Sequence, residues 1–263
     1  MAHPLLIKIL NVLAYIFLLS ANIYSVFEGN KSNSPYHEAH KTYISPAPFV
    51  FGVWGLIHFL LGGFVIYQFF PGENEVVVEG INWHFIGISL LNALWLALWE
   101  ANWLIISFIA ILFTSFQISY VYGVLKKQDY APKNLIDQLL INVPFSLYHA
   151  WIAVILTLSF FAIVTPEKTN EEPILLVKIV VVIALLILKS LSATYIEAGD
   201  DISGAIVIAW TLIGIFVEQE DLVIHWTALV LAVFSILHII KGIIFLVIRR
   251  NRTGGEYTAL NNP

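Results

Sequence analysis

Cysteine is absent from the 263 residues. That excludes disulfides, thiolate metal sites and a cysteine nucleophile, and it leaves the compartment open. Charge is scarce as well. Only 12% of residues are Asp, Glu, Lys or Arg, against 59% hydrophobic. A soluble domain carries far more charge. The formal net charge is -5 and no basic cluster is large, so a nucleic-acid surface is excluded. No His-x-x-x-His or Glu-x-x-His spacing supports a dedicated metal site. No exact repeat, low-complexity run or soluble domain interrupts the chain.

What the chain has instead is long apolar runs. Eight approach the ~20 residues that a membrane span needs. They cover roughly 4–26, 49–70, 81–99, 103–125, 135–164, 174–196, 202–217 and 222–248. The expected fold is therefore all-α, a polytopic transmembrane bundle of about eight spans. The seventh run is the shortest, so a seven-span arrangement stays open. The first run, from Pro4 to Val26, has only Lys8 in its amino-terminal flank and no small-x-small cleavage site. It reads as a retained helix rather than a signal peptide. Glu100 and Asn102 mark a tight turn between the third and fourth spans, with Trp95, Trp99 and Trp103 near the interface.

The loops predict orientation. Lys126, Lys127, Lys133, Arg249, Arg250 and Arg252 fall on one side; Lys31, Lys41 and Lys168 fall on the other. Positive charge stays cytoplasmic, so both termini are expected inside. The loop from Phe27 to Ala47 is then outside, with a glycosylation pattern at Asn30-Lys31-Ser32. A second match, Asn251-Arg252-Thr253, falls on the cytoplasmic side.

Three spans carry chemistry. The second opens with Pro46 and Pro48, tolerated where a helix begins. Phe51, Trp54 and His58 then share a face at i, i+3, i+7. Gly52, Gly55, Gly62 and Gly63 thin other parts of that helix. In the third, Asn92, Trp95 and Trp99 share a face, and a buried asparagine is either a polar handle or interhelical glue. In the fifth, Pro144 predicts a kink, which is either structural or turns Phe145, Tyr148 and His149 toward a cavity. These groups suit a flat, mostly apolar ligand, or simply pack together.

The same stretches resemble the TspO/MBR family, the tryptophan-rich sensory proteins that include the mitochondrial translocator protein. The second-helix line is Pro46-Ala47-Pro48-Phe49-Val50-Phe51-Gly52-Val53-Trp54. The third is Leu91-Asn92-Ala93-Leu94-Trp95-Leu96-Ala97-Leu98-Trp99, and the fifth is Pro144-Phe145-Ser146-Leu147-Tyr148. Ala47 splits the prolines, Phe49 and Tyr148 stand where the family has tryptophan, and Phe51 to Trp54 is one residue short of the pattern. The resemblance covers residues 1–165 as a five-helix region. Additional helices follow over 166–250, and a cytoplasmic tail over 251–263. It implies binding of porphyrins, sterols or other lipophilic molecules. Porphyrin or haem enters as a cofactor only on this ground.

Other polar residues have blander readings. His58, His149 and His238 are hydrogen-bonded structural histidines or, alternatively, haem ligands or proton carriers. Lys178 and Lys189 snorkel, and Lys241 lies deeper. Glu197, Asp200, Asp201, Glu218, Glu220 and Asp221 read as solvated turn ends. Three functions stay open: a receptor or carrier for a lipophilic molecule between helices two, three and five; a secondary transporter using Asn92, His149, Lys241 and Glu197; and a porphyrin-modifying enzyme. The enzyme has least support, since nothing forms a nucleophile–base set. The expected partners are membrane lipid, a lipophilic small molecule, a second copy of the chain, and a clathrin adaptor. The adaptor would read Tyr257-Thr258-Ala259-Leu260, with Tyr257 and Leu260 as anchors, in an extended tail. That signal places the protein at the plasma membrane or in endosomes and lysosomes of a eukaryotic host.

Overall fold

The computed structural model describes residues 4–27, 34–37, 39–70 and 75–260, with side chains to Arg249. The Asn30-Lys31-Ser32 pattern lies outside the described residues. Every apolar run forms a helix: α1 Pro4–Phe27, α2 Pro48–Tyr67, α3 His84–Glu100, α4 Leu104–Leu125, α5 Leu135–Val164, α6 Leu175–Gly199, α7 Ile202–Glu218 and α8 Leu222–Leu260. Six are long and apolar enough to cross a membrane. A seventh candidate is α3 together with the π-turn Glu75–Ile81, bent from it by 61°. The seventeen-residue α7 is shorter than a full span. The protein is an integral multi-pass membrane protein with an all-helical fold.

The turns are set by residues that tolerate left-handed backbone or cap a helix. Asn102 adopts φ 60°, and the Trp103 N–H returns to Leu98 O at 2.9 Å, which closes α3 and starts α4 within three residues. Asp201 accepts from the backbone N–H groups of Ser203 and Gly204 and so caps α7. Asp221 does the same for α8 through Val223 and Ile224. Before Pro144, α5 contains a π-turn over Gln138–Asn142, ahead of the proline at which the kink is expected.

These two aspartates correct the solvated-turn reading. Asp201 is 7% exposed and pairs with Lys126 at 3.1 Å. Asp221 pairs with Lys178 at 2.6 Å, so that lysine is partnered rather than merely snorkelling. Burial alone would raise the Asp221 carboxyl. The Lys178 ammonium and the two capping N–H groups outweigh it and hold the carboxyl below its ordinary value. Glu197 is exposed but pairs with His238 at 3.1 Å.

α8 stays helical through Gly254 and Gly255 to Leu260. No proline interrupts it there, and the two glycines weaken the helix without removing a backbone donor. The backbone of the Tyr257–Leu260 motif is therefore helical rather than extended. The side chains of Tyr257 and Leu260 lie outside the described residues.

Candidate functional site

The site is built under a roof. Residues 39–47 fold across one end of the bundle and are tied down from several sides. Gln219 Nε2 donates to the carbonyls of Thr42 and Ser45, at 3.3 and 2.7 Å. Lys41 pairs with Glu218 at 2.8 Å, and the Lys168 N–H donates to Lys41 O at 2.7 Å. His40 Nδ1 lies 3.2 Å from Glu167. Between its two prolines Ala47 is extended, at φ -59° and ψ 149°, as a residue preceding proline prefers. Its N–H donates to Gly214 O at 3.0 Å. Only glycine permits that approach: a Cβ on residue 214 would sit 2.0 Å from Val50 Cγ2.

Beneath the roof the aromatic side chains meet. Trp95 and Trp99 are 1% and 5% exposed, with ring centres 5.8 Å apart. They are interior residues, whereas Trp103 is 60% exposed and keeps the expected surface position. Trp95 Nε1 donates to Ser159 Oγ at 3.1 Å, and His40 stands edge-on to Trp99 at 5.3 Å. A cavity of about 30 Å³ remains between Tyr36, His40, Phe51, Trp99 and Ser159. Deeper in, Phe51 and Trp54 both stand edge-on to Trp151. Trp54 also meets Tyr148 at 5.6 Å and stacks on His58 at 5.3 Å. At the rim, burial and then the nearby Glu100 carboxylate push the Tyr36 phenol above its ordinary range. It remains a neutral donor to Asn22 Oδ1, 2.5 Å away.

The interior is polar where it is sealed. Asn92 Nδ2 and Oδ1, Trp99 Nε1, Tyr148 Oη, Trp151 Nε1, His40 Nε2 and both nitrogens of His58 are buried without a hydrogen-bond partner among the described residues. Buried polar atoms are normally satisfied, and each that is not costs about 1–3 kcal/mol. On the membrane side, Phe51, Trp54 and His58 also border a groove of about 560 Å³ between α1 and α2. Among the residues lining that groove, none is acidic, lysine or arginine.

The expected residues thus separate into groups. Phe51, Trp54, His58, Trp95, Trp99 and Tyr148 gather below the roof, with Asn92 one turn before Trp95 on α3. Phe145 belongs elsewhere, packed edge-on against Phe64 at 5.0 Å and Phe85 at 5.9 Å. His149 faces α4 and α6, stacked on Tyr122 at 4.6 Å. No hydrogen bond among the described residues joins Asn92, His149, Lys241 and Glu197 into one polar path. Trp151, Ser159, Tyr36 and His40 were not anticipated. The first follows Tyr148 at i+3 and was open to the same periodicity argument. Tyr36 and His40 come from irregular backbone that carries no periodic signal.

A family model described as TSPO-like protein matches residues 8–241. No curated protein and no solved structure matches the chain. The family match runs across residue 165 and through α6 and α7 into α8. Membership of this family points to ligand binding or transport in a membrane. With most of its length matched, the chain belongs to the family of TSPO-like proteins.

Proposed function

We propose that the protein is a membrane receptor or carrier for a flat, mostly apolar small molecule held between α2, α3 and α5 below the roof. The carrying observation is the set of orphaned polar atoms inside an aromatic interior: Asn92, Trp99 Nε1, Tyr148 Oη and Trp151 Nε1. Aromatic faces supply area to a flat ligand, and a few buried donors fix its orientation. A ligand with hydrogen-bonding atoms along its edge repays the desolvation of those groups. The cavity of about 30 Å³ is the size of one water, so the ligand gains its place by displacing residues 39–47. A tetrapyrrole fits only with that segment displaced.

The test is a thermal-shift and tryptophan-quenching titration with haemin and with a sterol, on protein purified in detergent. Saturable binding is expected from one of them. Trp95→Ala should weaken it by about 1–3 kcal/mol if the ring touches the ligand in a dry site. Asn92→Leu should raise the unfolding midpoint of the unliganded protein while weakening binding, because it removes an unsatisfied amide. A lower midpoint with unchanged affinity would make Asn92 interhelical glue and refute its place in the site.

A further inference from the structure

A second cluster of ionisable groups lies outside the aromatic site, where α4, α5 and α6 meet. At its centre is His149 of α5. Nε2 lies 3.0 Å from Ser119 Oγ of α4, and Nδ1 is hydrogen-bonded to Tyr195 Oη of α6. Tyr122 of α4 stacks on the ring at 4.6 Å with planes 7° apart, and Tyr195 stands edge-on at 5.6 Å. Tyr122 Oη donates to Asp201 Oδ2 at 3.0 Å, and Lys126 Nζ lies 3.1 Å from the same oxygen.

The partners are held in place by close contacts. A Cβ on Gly204 would come within 2.6 Å of the Tyr195 ring, so that ring packs directly against the backbone of α7. A Cβ on Gly199 would come within 3.2 Å of Tyr122 Oη. Among the described residues, the charged and titratable groups facing the imidazole are few. Tyr122 comes from α4 and Tyr195 from α6. Asp201, the cap of α7, and Lys126, which follows α4, lie behind Tyr122 as an ion pair. Tyr148 of α5 itself is turned to Trp54 instead.

Both ring nitrogens face hydroxyls, and a hydroxyl can donate or accept. A neutral imidazole donates from one nitrogen and accepts at the other. An imidazolium donates from both. Either neutral tautomer and the protonated ring are therefore fully hydrogen-bonded here after rotation of two O–H bonds. A backbone carbonyl at either position would have fixed a single neutral tautomer, and an amide N–H would also have excluded the imidazolium. Ser119 stands seven residues before Lys126 on α4, about 10.5 Å deeper at 1.5 Å per residue. An ionisable group at such depth is a functional candidate by default.

We propose that His149 is a proton-binding site, separate from the aromatic site, whose two flanking hydroxyls let the ring take up and release a proton without losing a hydrogen bond. The ligand is a single proton, which adds one positive charge to the α4–α5–α6 junction.

The test is a pH titration of full-length protein in lipid nanodiscs with ¹³C-labelled histidine, followed by NMR. His149→Gln removes one of the resonances and so assigns it. If that variant does not fold, Tyr195→Phe makes the assignment by moving the resonance beside it. A reversible titration step on the His149 resonance between pH 4 and 8 is expected. Tyr195→Phe should lower its midpoint by about one pH unit, since the hydrogen bond to the imidazolium is stronger than the one to the neutral ring. Ser119→Ala should act in the same direction. A His149 resonance that stays in one tautomer across this range would overturn the proposal and make the ring a fixed structural contact. So would a step that neither hydroxyl deletion moves.

Discussion

Gly214→Ala tests how the roof is seated. The new Cβ would lie 2.0 Å from Val50 Cγ2, 3.2 Å from Pro46 Cβ and 3.4 Å from Val50 Cβ. Ordinary carbon contacts begin near 3.5 Å, so α7 and the start of α2 must part by about 1.5 Å. That displacement takes the bond from the Ala47 N–H to Gly214 O, now 3.0 Å, beyond hydrogen-bonding range. Overpacking costs about 1–3 kcal/mol and the lost bond about 1 kcal/mol. Alanine is the better helix former and returns about 0.5–1 kcal/mol. The expected net loss is about 1–3 kcal/mol. Val50→Ala alone should also destabilise, because it empties a fully buried site. Together the two changes should offset each other. Removing Cγ2 leaves contacts of 3.2 and 3.4 Å, which need a shift of only a few tenths of an ångström. The assay is the unfolding midpoint by intrinsic tryptophan fluorescence, with the four proteins as a double-mutant cycle. A double mutant that loses the sum of the single losses would refute the contact.

Three further outcomes follow from the geometry. Gly55→Ala should be neutral or slightly stabilising, since its Cβ meets nothing within 4 Å, whereas Gly204→Ala presses on the Tyr195 ring at 2.6 Å and should cost about 1–3 kcal/mol. Equal midpoints for the two would contradict the packing of α6 on α7. Asp221 gives a pH dependence: its folded carboxyl titrates below the unfolded value of about 3.9, so its stabilisation is present above that value and is lost as pH falls through the folded one. Asp221→Asn should flatten that acid limb of the midpoint–pH curve, and an unchanged limb would assign it to other carboxylates.

The helices were legible because a span needs only composition and length. Pro46 and Pro48 marked the start of α2, and Asn102 marked the turn after α3, each through a backbone constraint that acts within a few residues. The roof was not legible. Its anchors, Gly214, Glu218 and Gln219, stand far along the chain, and nothing local in the 39–47 stretch names them. The capping aspartates were readable in principle. Asp201 and Asp221 each stand just before an apolar run, where a side-chain oxygen meets orphaned N–H groups. Taking them as solvated turn ends overlooked that demand.

Phe145, Tyr148 and His149 show why spacing located the aromatic stripes without resolving the site. On a helix, neighbouring residues point about 100° apart, so Tyr148 and His149 cannot both face one cavity in a crowded bundle. Tyr148 meets Trp54 of α2, while His149 meets Tyr122 of α4 and Tyr195 of α6. Phe145 precedes Tyr148 by one turn and lies along the same side, but a turn is also about 5 Å of depth. At that depth its neighbours are Phe64 and Phe85 rather than the tryptophans. A periodicity argument fixes direction around one helix. Depth and the identity of the facing helix come from how the other helices pack, and those two quantities separate His149, set between Tyr122 and Tyr195, from the tryptophan cluster that its sequence neighbour Tyr148 joins.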